Sequence, residues 1–139
     1  MSYIISPPEE TALQAHLQKL RTQLHEDPEL SWQEHRTTRL VRRELEALCL
    51  EPVPLGLPTG TAALLRGALP GPTVGLRADL DALPITERTG AEFSSRVPGV
   101  MHACGHDIHM AALLGAARLL AARREQLAGN VLFLFQRSE

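Results

Sequence analysis

The 139-residue chain lacks most of the features that place a protein by composition alone. Its opening residues, Met1-Ser2-Tyr3-Ile4-Ile5-Ser6-Pro7-Pro8, carry no basic stretch and no long apolar core, so no secretory signal is expected. No apolar run approaches the roughly 20 residues that cross a bilayer, so a membrane partner is not expected either. The net charge is −2, with acids and bases interspersed, and the basic face that neutralises phosphates is missing. Nucleic acid is therefore excluded as the expected partner. Thirteen of the fourteen basic residues are arginine, which reads as genome composition more than function. Only two cysteines occur, Cys49 and Cys104, enough for one bridge at most. Cys49 closes an amphipathic pattern and Cys104 sits among histidines, so reduced thiols in a cytoplasm are expected. Internal repeats and low-complexity segments are absent.

What is present is one domain's worth of ordinary globular sequence. Hydrophobic residues make up 44% and charged ones 22%, a balance that supports a real core. Ser6-Pro7-Pro8-Glu9 reads as a capping box with proline at the first helical position. Leu13, Leu17, Leu20 and Leu24 follow at helical spacing, and Pro28 ends the helix. Ser31-Trp32-Gln33-Glu34 reads as a second capping box, opening a helix whose apolar side includes Leu40, Val41, Leu45 and Leu48.

The period then changes. Pro52, Pro54 and Pro58 with Gly56 and Gly60 mark a loop-rich stretch. Residues 61–65 and 73–76 are short apolar runs that predict strands, with a turn over Gly67–Pro72 between them. Residues 85–100 read as an irregular loop. Asp107 to Leu127 predicts a largely buried helix, ended by Gly129-Asn130. Val131-Leu132-Phe133-Leu134-Phe135 predicts a central strand covered on both faces. The alternation gives an α/β fold, helices packed on a mainly parallel or mixed sheet.

The chemistry gathers where strands end and that helix begins. Met101-His102-Ala103-Cys104-Gly105-His106-Asp107-Ile108-His109 places one thiol and three imidazoles within nine residues. Cysteine and histidine are the strongest side-chain ligands for transition metals. Cys104 and His106 are two apart, and in a turning segment alternate residues face the same way. Gly105 between them permits the turn. The positive end of the helix beginning near Asp107 suits a sulfur that binds a cation. His109 lies on that helix's first turn. A lone cysteine or histidine is usually a core or loop residue, but this density beside paired aspartates reverses that balance. Asp79 and Asp81 follow the run at 73–76, share a face, and supply the acceptors that metal-bound imidazoles need, with Arg77 placed to neutralise them. Glu139 follows the run at 131–135, where a glutamate beside activated water serves as a general base. From position alone, Glu139 is only a terminal acid. All three clusters fall at the carboxyl edge of the sheet, the usual ligand crevice of open α/β folds.

Three stretches carry a family resemblance: Leu24-His25-Glu26-Asp27-Pro28-Glu29-Leu30, Leu76-Arg77-Ala78-Asp79-Leu80-Asp81-Ala82-Leu83-Pro84, and the cysteine–histidine cluster. In order and spacing the chain resembles the amidohydrolases of the co-catalytic zinc metallopeptidase clan, the branch of hippurate, N-acyl-amino-acid and indoleacetyl-amino-acid hydrolases. The resemblance runs from about residue 13 to the end. It implies the amino-terminal part of a zinc-exopeptidase-like catalytic domain over residues 1–139, without the inserted domain through which the family dimerises. It further implies cleavage of the amide bond of a small N-acyl amino acid at a site with two divalent ions, zinc foremost, with manganese, cobalt or nickel as alternatives. Cys104 and His106 would be metal ligands, Asp81 the residue orienting them, and Glu139 the general base. Arg137 and Ser138 stand where the family has proline and alanine. The competing reading is a catalytically inactive fragment that lacks most of the metal ligands.

Overall fold

The computed structural model describes residues 5–138 and shows three helices against one face of a four-stranded sheet. Helix α1 spans Pro7–Glu26, with the Glu9 carboxylate accepting the Ser6 backbone N–H at 2.8 Å as a capping box requires. Helix α2 spans His35–Ala47, four residues beyond the predicted Ser31 cap. The reason lies in Glu29. Its buried carboxylate accepts the backbone N–H groups of Arg36 and Thr37 at 3.1 and 2.8 Å, and so caps α2. Ser31 is left for another task, described below.

Strand β1 covers Glu51–Val53, inside the stretch read as loop, and β2 covers Thr61–Arg66 as expected. Strand β3 runs over Leu69–Asp79, so the predicted turn shrinks to the link after Arg66. Glycine makes this possible. A Cβ on Gly67 would lie 2.3 Å from the Gly129 carbonyl oxygen, and one on Gly71 would lie 2.6 Å from the Gly129 nitrogen. The backbones touch where side chains have no room.

Helix α3 covers His106–Ala121 and then gives way to a 3₁₀ turn at Arg124–Gln126, six residues short of the predicted end. Strand β4, Ala128–Gln136, absorbs the Gly129-Asn130 pair that the sequence predicts as the helix stop. The sheet order is β1-β2-β4-β3, mixed in direction: β3 and β4 are parallel, the other pairs antiparallel. β4 is central, as predicted. Its coverage is not. Val131, Phe133 and Phe135 are buried with Leu20, Val41, Leu65, Met110 and Leu114 in one core, while Leu132 and Leu134 on the opposite face are only half-buried. The helices cover one face of the strand within the described residues. Parallel pairing sets Asp79 beside Gln136, so the carboxyl ends of β3 and β4 form a single rim. The amino terminus of α3 opens toward that rim.

Candidate metal centre

The rim is assembled from the turn that begins α3. Gly105, at φ +89°, is in the left-handed region that a side chain resists, and it reverses the chain between Cys104 and His106. Its carbonyl then receives the Ile108 and His109 amides as the helix starts. The reversal brings the Cys104 side chain and the His106 ring to the same backbone carbonyl. Cys104 Sγ lies 3.9 Å from the Asp81 carbonyl oxygen, and His106 Nδ1 lies 2.9 Å from the same atom. The carbonyl only accepts, so Nδ1 carries a proton, and in the neutral ring the lone pair is then on Nε2. His106 Nε2 is 3.9 Å from Asp79 Oδ2, and His106 Nδ1 is 3.2 Å from Asp81 Oδ1. A histidine held by one nitrogen with the other free is the arrangement of a metal-binding imidazole.

The structure thus brings together Cys104, His106, Asp79 and Asp81. Arg77 pairs with Asp79 at 2.8 Å, the neutralising role its position implied. His109 is exposed, its ring 5.9 Å from that of His106. Glu139 lies outside the described residues. The donor chemistry fits a late transition metal through sulfur and nitrogen. The donor number is smaller than a full shell: among the described residues no group of three or more His, Cys, Asp or Glu side chains is placed to share one ion. Cys49, the second thiol, is also free and exposed.

Behind these residues lies a polar layer with no signature in the local sequence. Asp107 is buried, and its Oδ2 accepts from Arg21 Nε at 2.9 Å and His25 Nδ1 at 2.7 Å. His25 Nε2 meets Glu87 at 3.1 Å, so both ring nitrogens face carboxylates. Burial alone would raise the Glu87 carboxyl. The Ser95 amide, the Thr89 hydroxyl and His25 outweigh it and hold the group down to about 2. His102, which shared the donor-rich motif, is drawn inward instead. Its side chain is buried and neither ring nitrogen has a partner among the described residues. Burial outweighs the attraction of Asp107 and pushes its imidazole down to about 4, which leaves it neutral at pH 7. A cavity of about 370 Å³ adjoins it, lined in part by Phe93, Met101 and Cys104.

Known proteins place this arrangement. Residues 75–139 match the model of peptidase family M20/M25/M40. The chain belongs to this family. It is 48% identical over 122 residues to thermostable carboxypeptidase 1 of Saccharolobus solfataricus, covering 87% of this chain and 31% of that protein. It is 48% identical over 129 residues to the N-acetylcysteine deacetylase of Bacillus subtilis, covering 92% of this chain and 34% of that protein. In three dimensions it superposes on the Bacillus subtilis YXEP protein, described as a dinuclear metal-binding peptidase of the M20 family. The TM-score is 0.90 at 47% identity, covering 94% of this chain and 36% of that one. The chain spans about a third of the length of the curated relatives it matches. No helix among its described residues is long and apolar enough to cross a membrane.

Proposed function

We propose that this chain forms the metal-binding rim of an M20-family amidohydrolase that cleaves the amide bond of N-acyl amino acids. Cys104 and His106 hold the metal, and Asp81 fixes the His106 ring through its carbonyl and carboxylate. Glu139 serves as the general base. The observation that carries the reading is the Asp81 carbonyl, which accepts from His106 Nδ1 at 2.9 Å and so leaves Nε2 as the donor nitrogen, with Cys104 Sγ 3.9 Å from the same oxygen. The names of the relatives, a carboxypeptidase and an N-acetylcysteine deacetylase, support a substrate with an amide bond next to an amino acid.

Two divalent ions, when bound, polarise the substrate carbonyl and make water acidic enough to attack near neutral pH. The sulfur ligand favours zinc among the candidates, with manganese, cobalt and nickel as alternatives. The chain's own residues do the rest. His106 offers Nε2 because Nδ1 is committed to Asp81. Asp79, paired with Arg77, adds a carboxylate oxygen on the Nε2 side. Glu139 takes a proton from the attacking water and returns it to the departing amine, so that one proton is moved and none is consumed. The free thiols of Cys49 and Cys104 fit a reducing cytoplasm.

The test is hydrolysis of N-acetyl and N-benzoyl amino acids by the zinc-loaded protein, alongside its metal content. Cys104→Ala is expected to lose both metal and turnover. Near-normal turnover in that variant refutes the ligand assignment. A wild-type chain that binds no metal and turns nothing over supports the inactive-fragment reading instead.

A further inference from the structure

The last turn of α1 and the link to α2, residues 25–34, touch the segments that carry the chemistry. His25 at the start of that stretch holds Asp107, the residue after His106, at 2.7 Å. Glu29 offers its carbonyl to the Ala82 amide at 2.8 Å, and Leu30 bridges to Ala82 in parallel. Ser31 donates its hydroxyl to Asp81 Oδ2 at 2.9 Å. With Oδ2 tied, the other oxygen of Asp81 faces His106 Nδ1 at 3.2 Å. The donor pair is therefore clamped on both sides: Asp81 fixes the His106 ring, and Asp107 fixes the first turn of α3. Both acids are in turn fixed from the same short connection.

Simple structural economy does not require this. A serine at position 31 has a local use as a helix cap, and Glu29 already performs that function. The Ser31 hydroxyl on Asp81 adds nothing to the capping of α2, and a hydrocarbon side chain at the buried position 25 would fill its space with no polar partner to satisfy. The bonds of Ser31 to Asp81 and of His25 to Asp107 fix angles at the rim.

We propose that His25 and Ser31 are positioning residues, which touch neither substrate nor metal but set the direction in which Cys104 and His106 present their donors. The proposal rests on the reading of those two residues as metal ligands. It makes the α1–α2 connection a part of the metal site, although no atom of it is a ligand.

The test is a titration of the metal-free full chain with cobalt(II) chloride, read by the thiolate-to-cobalt absorption band, with thermal midpoints measured in parallel. Removing an outer partner of a metal ligand, the place Asp81 holds, typically weakens metal binding about 10- to 100-fold, and Ser31 acts one step further out, through Asp81, at the lower end of that range. Ser31→Ala is expected to weaken cobalt binding by about tenfold, with the thermal midpoint unchanged. Ser31→Thr, which keeps the hydroxyl, is expected to restore it. His25→Ala should weaken binding at least as much, and His25→Asn, whose amide can still reach Asp107, should recover part of the loss. If the band depends on Cys104 but Ser31→Ala and His25→Ala bind cobalt like wild type, the positioning roles are overturned and the ligand assignment stands. Affinity that falls only together with the thermal midpoint, without recovery in Ser31→Thr, also overturns them. A wild-type chain with no Cys104-dependent band overturns the ligand assignment itself.

Discussion

The helix-covered face of the sheet and its carboxyl rim are built on opposite terms. On the face, Phe133, Phe135, Leu65, Val41 and Met110 are fully enclosed by other hydrocarbon, and close packing alone holds them. At the rim, buried positions are given to His25, Glu29, Glu34, His102 and Asp107. Each charge moved out of water there requires partners, and several atoms still lack one among the described residues: both His102 nitrogens, one oxygen of Asp107 and one of Glu34. A protein optimised only for stability would fill such space with leucine. The contrast shows where stability has been traded for fixed geometry, and the substitutions that follow separate the two regions.

The largest loss of stability belongs to the face. Phe133→Ala is expected to cost about 3–5 kcal/mol, measured by chemical denaturation, through lost burial and the cavity left behind. Asp107→Ala follows. It strands His25 beside Glu87 and removes the partner of Arg21, with an expected cost of about 3 kcal/mol, discounted because Arg21 is partly exposed. Glu29→Ala removes the cap of α2 and should cost about 1 kcal/mol.

Acid sharpens the comparison further. The Glu87 carboxyl is held at about 2, below its usual 4.5, so its ionised form is favoured by folding. The stabilisation is complete above pH 4.5 and is lost as pH falls from there through 2. Denaturation midpoints measured over that window should fall more steeply for wild type than for Glu87→Gln. The smallest effect on stability belongs to the most consequential residue. Cys104 is exposed, so Cys104→Ala should leave the unfolding free energy of the metal-free chain within about 0.5 kcal/mol of wild type while abolishing metal-dependent hydrolysis.

The sequence was legible where the signal is local. The stripe of Leu13, Leu17, Leu20 and Leu24 reports α1, and the cysteine–histidine motif announces its own turn through Gly105. Capping was legible only in part. Ser31 and Glu34 have the spacing of a capping box, yet Glu29, which lies outside that pattern, supplies the acceptor. The end of α3 differs from its prediction because Gly129-Asn130 is an ordinary helix stop, whereas here the close approach of β3 demands the glycine. The run 131–135 is apolar at every position, so composition alone does not reveal that, among the described residues, helices cover just one side of it. Hidden altogether was the link between His25 and Asp107, 82 residues apart, since no periodicity encodes a pairing made by the fold. Within the donor-rich motif, only packing distinguishes His102, turned inward, from His106, turned to the rim.

X-ray absorption at the zinc edge of the zinc-loaded protein addresses the donor pair directly. A first shell with sulfur at about 2.3 Å and nitrogen at about 2.0 Å is predicted, with the sulfur component gone in Cys104→Ala. A shell of oxygen and nitrogen alone in the wild-type protein would contradict the account.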